Sequence, residues 1–152
     1  MSKPRIFLDS CVLVEGIVAP WSNARAVLVL CRASMFTLVL CEWVIAEVEC
    51  ALDLKQTAIY PDERLLKSDF DLLLKRLKVE IVPHSSIEEV RAASQWIRHR
   101  NDAPVLAAAV KAKPHWLITD NTAHFDADVA KATNLIIATP LEFLRESGRI
   151  FS

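Results

Sequence analysis

The sequence predicts an α/β fold, a three-layer α/β/α sandwich around a mainly parallel sheet of about five strands. Three observations carry this. Short unbroken apolar runs, too short for helices, recur along the 152 residues. Helical segments alternate with them, which is the order parallel strands require. Two of the runs stop abruptly, one at Asp9 and one at Thr119-Asp120, so that carboxylates fall at strand carboxyl ends.

Arg5-Ile6-Phe7-Leu8 is the first run, apolar without alternation, as in a central strand covered on both faces. Helices are expected over Cys11–Val18 and Ser22–Ala33, the second capped by Ser22 or Asn23. Phe36–Leu40 is a second strand. A helix then runs through C-E-W-V-I-A-E-V-E-C-A-L-D-L-K, where Val44, Ile45, Val48 and Leu52 form one apolar stripe and Glu47 flanks it. Pro61 to Leu77, carrying Leu65, Phe70, Leu73 and Leu77, is a more polar helix expected in an outer layer or as a lid. Val79–Val82 is a third strand. Ser86 and Glu89 make a capping box that opens a helix over Ile87–His99. The Ala-rich segment around Ala107, Ala108 and Ala109 is a strong helix former. Pro104 suits its first turn and Asp102 its N-cap. Trp116–Thr119 is the next strand, followed by a short helix over Asp126–Thr133, a strand over Leu135–Ala138 and a terminal helix over Leu141–Arg149.

At this length a single domain over residues 1–152 is expected, with a core that needs no staples. Only two glycines in a 53% apolar chain argue against disorder and against a Gly-rich nucleotide loop. No apolar run approaches the roughly 20 residues of a membrane span. The segment after Lys3 and Arg5 lacks the apolar length of a secretory signal, so a cytoplasmic protein is expected. Cys11, Cys31, Cys41 and Cys50 form no C-x-x-C pair and sit in apolar segments, which reads as buried reduced thiols. With 18 basic against 19 acidic side chains, no broad basic face for duplex DNA is expected.

Four acids stand out by position: Asp9, Glu47, Asp102 and Asp120. Each has an ordinary reading alone. Asp102 is a natural N-cap, Asp9 and Asp120 are natural turn formers, and Glu47 is a natural solvated helix residue. Together they map to one end of one sheet, where open α/β folds bind ligands. Like charges gathered there demand protons or a cation. Oxygen-only ligands favour Mg²⁺ or Mn²⁺ over zinc, and such ions suit phosphodiester hydrolysis. Setting the four acids aside leaves 18 basic against 15 acidic side chains, a balance compatible with single-stranded RNA as substrate.

Four segments in order, F-L-D-S-C-V-L, A-E-V-E-C-A-L, D-A-P-V-L-A-A-A and L-I-T-D-N-T-A-H-F, resemble the PIN-domain family, the metal-dependent ribonuclease fold of VapC-type toxins. The resemblance covers nearly the whole chain, and its closest flavour is the bacterial group of toxin components of toxin–antitoxin systems. It implies that Asp9 closes strand one, Glu47 sits in the A-E-x-x-x-x-L helix, Asp102 opens the D-A-x-x-x-A-A-A helix and Asp120 follows the strand-ending Thr. It also implies Mg²⁺ or Mn²⁺ as cofactor, RNA as substrate, an antitoxin protein as partner, and a homodimer. One departure is clear: the family's first motif is usually D-T-N or D-S-N, and Cys11 stands at the Asn position here. That loses an amide contact without removing a ligand.

Around these acids, Ser10 and Asn121 are candidates for polar contacts at the site. Arg98 and Arg100, with His99 between them, suit either phosphate contacts or a solvated helix end. Asp126 reads as an auxiliary acid or a helix cap. His84, His115 and His124 are too scattered for a zinc site. Trp21, Trp43, Trp96 and Trp116 read as core or interface rather than as base-stacking platforms, and Trp21, Met35 and Trp43 exceed what one core should bury. A Ser or Cys nucleophile lacks a partner His in any motif. The expected function is thus a metal-dependent endoribonuclease, with a non-catalytic PIN-like RNA- or protein-binding module as the alternative.

Overall fold

The computed structural model describes residues 2–58 and 66–151. Its centre is a five-stranded, wholly parallel sheet. The strands are β1 (Arg5–Leu8), β2 (Thr37–Cys41), β3 (Glu80–Val82), β4 (Trp116–Ile118) and β5 (Ile137–Ala138). Their spatial order is β3-β2-β1-β4-β5. The chain steps outward from β1 to β3, then crosses to the other side of β1 to lay down β4. The strand order therefore reverses between β1 and β4, and a crevice opens at that switch point.

Eight α-helices among the described residues flank the sheet. They are α1 (Ser10–Val18), α2 (Asn23–Arg32), α3 (Glu42–Ala58), α4 (Leu66–Leu77), α5 (Ile87–Ser94), α6 (Ala103–Ala112), α7 (Ala127–Thr133) and α8 (Pro140–Phe151). A 3₁₀ turn, Arg100–Asp102, precedes α6. The α/β/α sandwich and its parallel sheet are as the sequence predicts. No single helix among the described residues is long and apolar enough to cross a membrane.

Ile6, Phe7 and Leu8 are wholly buried, as a two-sided central strand requires. The register of β1 on β4 pairs Ile6 with Trp116 and Leu8 with Ile118, so the residues after both strands emerge side by side. On α3, Val44, Val48 and Leu52 are buried at their 3.6-residue spacing. Ser22 caps α2 by accepting from the Arg25 amide at 3.1 Å. Arg25 in turn donates to the Gly16 and Ile17 carbonyls, closing the last turn of α1. Gly16 is where α1 and α2 touch: a Cβ there would lie 2.7 Å from Leu28 Cδ1 and 3.3 Å from the Ala24 backbone.

Several boundaries differ from the sequence reading. The polar helix begins at Leu66, and residues 61–65 lie outside the described part. It is no lid, because Phe70 is fully buried and Leu73 and Leu77 pack on the core. The capping box of Ser86 and Glu89 is present with both hydrogen bonds, but α5 stops at Ser94 rather than His99. Beyond it Ile97 turns into the core, which ends the helical path, so Arg98 lies past the end of α5 and Arg100 opens the 3₁₀ turn before α6, and neither sits in the last turn of an α-helix. Of the four free cysteines only Cys31 and Cys41 are buried. Cys11 and Cys50 are exposed residues on α1 and α3. Met35 packs against the core, and Trp116 stands edge-on to the buried Phe143. Trp21, by contrast, is 98% exposed.

Candidate active site

Asp9 follows β1 and is 93% hidden from solvent, at 7% exposure. Its backbone amide donates to the Ile118 carbonyl at 3.0 Å, extending the β1–β4 pairing by one residue. Its carboxylate serves two purposes. As the N-cap of α1 it accepts from the Ser10 amide at 2.8 Å. Its other oxygen accepts from Thr119 Oγ1 at 2.8 Å, and the Cys11 thiol lies 3.6 Å from the same oxygen. Burial raises the Asp9 pKa, the three hydrogen bonds oppose that rise, and the Asp102 charge adds to it.

Glu47 reaches the same place from α3. Its pKa is raised from 4.5 to about 7, first by desolvation and then by the charges of Asp9 and Asp102, while the Ser10 hydroxyl hydrogen-bonds it and pulls the value back. Asp9, Glu47 and Asp102 therefore feel one another, although they come from three separate stretches of chain. Although Cys11 is exposed as a residue, its sulfur lies beside Asp9 and Thr119, and desolvation there, together with the Asp9 charge, lifts the thiol to about 11, so it is a neutral thiol at neutral pH.

Asp102 sits at the N-cap position of α6, but its side chain makes no capping hydrogen bond. As the last residue of the 3₁₀ turn it has helical dihedrals (φ −89°, ψ −12°) in place of the extended ones of a capping residue. It meets His124 instead, with Nδ1 at 2.7 Å from Oδ2. Asp126 is the true cap nearby, accepting from the Val129 amide at 3.0 Å at the start of α7.

Asp120 faces another way. It interacts with Cys11 and Glu15, and its hydrogen bond and charge raise the Glu15 pKa behind desolvation. Asn121 lies between: its amide N–H donates to Thr119 Oγ1 at 3.0 Å, and its side chain touches His124 at 2.9 Å. Arg98 and Arg100 are exposed. A cavity of about 510 Å³ between α1 and α3 is lined by Ser10, Cys11, Glu15 and Glu47, so it joins the two acidic halves.

The model of the PIN domain family matches residues 5–123. This chain belongs to the PIN domain family, a family of nucleases. Two solved structures share the fold. The VapBC2 crystal structure from Rickettsia felis, bound to a DNA fragment from the promoter, aligns with a TM-score of 0.62 at 18% identity, over 89% of this chain and 98% of that one. PAE2754 from Pyrobaculum aerophilum aligns with a TM-score of 0.56 at 14% identity, over 95% and 88%. No curated protein matches the chain.

Three further residues around these acids in this PIN domain are not singled out by the sequence as candidates. Thr119 bridges Asp9 and Asn121. His124 holds Asp102. Glu15 pairs with Asp120. Glu15 had a signal, since it stands four residues after Cys11 and so shares its helix face. The donor set is carboxylate, which suits a hard divalent ion whose remaining positions are filled by water. Among the described residues no three such side chains stand close enough together to ligate one ion as they are.

Proposed function

We propose that this PIN domain is an Mg²⁺- or Mn²⁺-dependent endoribonuclease, the whole chain forming one catalytic unit. The observation that carries it is the mutual charge of Asp9, Glu47 and Asp102 at the sheet's switch point, in a nuclease family. Three carboxylates drawn from three segments, two of them with raised pKa values, form a site that a divalent cation would relax.

In this reading Asp9, Glu47 and Asp102 hold the ion, with Asp120 completing the set from the Glu15 side. A bound divalent ion supplies charge to offset that on the scissile phosphate and to acidify an attacking water. Asp9 is fixed by Thr119 and the Ser10 amide, so its orientation is set before any ligand arrives. Ser10 steadies Glu47. Arg98 and Arg100 contact phosphates and Asn121 the substrate's edge, all from the rim. The exposed Trp21 marks a surface for a second copy of the chain or for an antitoxin, a partner suggested by the paired VapBC2 assembly. A cytoplasmic place fits such a toxin.

The test is labelled single-stranded RNA incubated with Mn²⁺ and with wild-type protein, Asp9→Asn or Glu47→Gln. Cleavage by the wild type that falls at least a hundredfold in both variants is expected. Equal cleavage in all three would mean a contaminant. RNA binding without cleavage, unaffected by metal, would favour a binding module, a reading consistent with Cys11 in place of the usual amide.

A further inference from the structure

The turn after β4 forms a continuous strap between two of the acids. Asp9 accepts from Thr119 Oγ1, which itself accepts from the Asn121 amide N–H. The Asn121 side chain lies 2.9 Å from His124 Nδ1, and the same ring nitrogen stands 2.7 Å from Asp102 Oδ2. The Asn121 carbonyl accepts from the amides of His124 at 3.2 Å and Phe125 at 2.9 Å, and Phe125 is buried, so the strap is anchored in the core. His99 covers the imidazole face, the ring centroids 3.4 Å apart and the planes 17° from parallel.

A carboxylate oxygen only accepts, so the nitrogen facing Asp102 carries the ring proton. One N–H cannot be aimed at another, so the Asn121 amide, whose two ends are alike in shape, turns its oxygen toward that proton. The ring is thereby fixed as the Nδ1–H tautomer, with His99 and Asn121 setting its plane. We propose that His124 is a positioning residue, holding the Asp102 carboxylate on the side of the crevice from which it shares a hydrated divalent cation, directly or through the ion's water, with Asp9 and Glu47. This rests on the metal-dependent reading above. The role needs no change of charge on the imidazole, only a donor fixed in place. Outer-sphere hydrogen bonds of this kind are typically worth 10–100-fold in metal affinity.

The experiment measures Mn²⁺ affinity by titration calorimetry on wild type, His124→Phe, His124→Asn and Asp102→Asn, with circular dichroism confirming the fold of each. Phenylalanine keeps a ring against His99 and removes the donor. Asparagine places an amide N–H near the position of Nδ1. The expected result is a tenfold or greater loss of affinity in His124→Phe and recovery of most of it in His124→Asn. In the metal-free protein, nitrogen chemical shifts should show His124 as the Nδ1–H tautomer, and Asp102→Asn should disturb it. Equal affinity in wild type and His124→Phe, no recovery in His124→Asn, or an Nε2–H tautomer would each overturn the proposal alone. No Mn²⁺ binding by the wild type would instead overturn the metal-dependent reading, and this proposal with it.

Discussion

Thr119 Oγ1 donates to Asp9 Oδ2 at 2.8 Å across the β1–β4 pairing, and both side chains are buried. The hydroxyl also accepts from the Asn121 amide, so one small side chain satisfies two polar groups. Thr119→Val keeps the shape and removes both bonds. It should cost about 1–3 kcal/mol in denaturant unfolding, the range for orphaning a buried polar group, with the m-value unchanged. A loss below a few tenths would mean that water already serves Asp9.

Glu47 makes stability depend on pH. Its pKa is about 7 in the folded protein against an ordinary 4.5, so the folded state holds the proton more tightly than the unfolded chain. Stability therefore falls as pH rises from about 4.5 to about 7, and the full penalty persists above that. Asp9, also raised, acts in the same direction. Glu47→Gln should be as stable as wild type near pH 4 and more stable at pH 8. Because the residue is exposed, solvent screening leaves a gain on the order of 1 kcal/mol. Melting curves across pH measure it, and parallel curves for the two proteins would refute it.

Gly16 sets the approach of α1 to α2. A methyl group there meets Leu28 Cδ1, which can rotate away, and the Ala24 backbone, which cannot. Gly16→Ala should lower stability by about 1–2 kcal/mol, overpacking outweighing the gain in helix propensity. Leu28→Ala should recover little of that, because the backbone contact remains. A stabilised Gly16→Ala protein would show that the two helices separate freely.

What could be read from the sequence was what depends on nearby residues. The apolar run 5–8, the Ala-rich α6 and the Ser86–Glu89 box carry their own signals and appear where expected. The end of α5 was hidden because Ile97 continues an apolar pattern while turning into the core instead of along a helix. Asp102 reads as a cap because the side chain that claims it, His124, lies 22 residues further on. Glu15 reads as one acid on a solvated helix, since its partner Asp120 arrives only with β4. In each case the missing information was a tertiary contact competing with a local one.

The strand order has a consequence for a ribosome making this chain. Asp9 and Glu47 emerge well before Thr119 and His124, the groups that orient Asp9 and Asp102. β1 waits beside an empty edge until β4 is released to pair with it. That pairing is the long-range event whose loop closure comes late in folding. The crevice is thus incomplete on every unfinished copy. Whatever chemistry it performs begins only after β4 and the turn beyond it have been made and have docked beside β1.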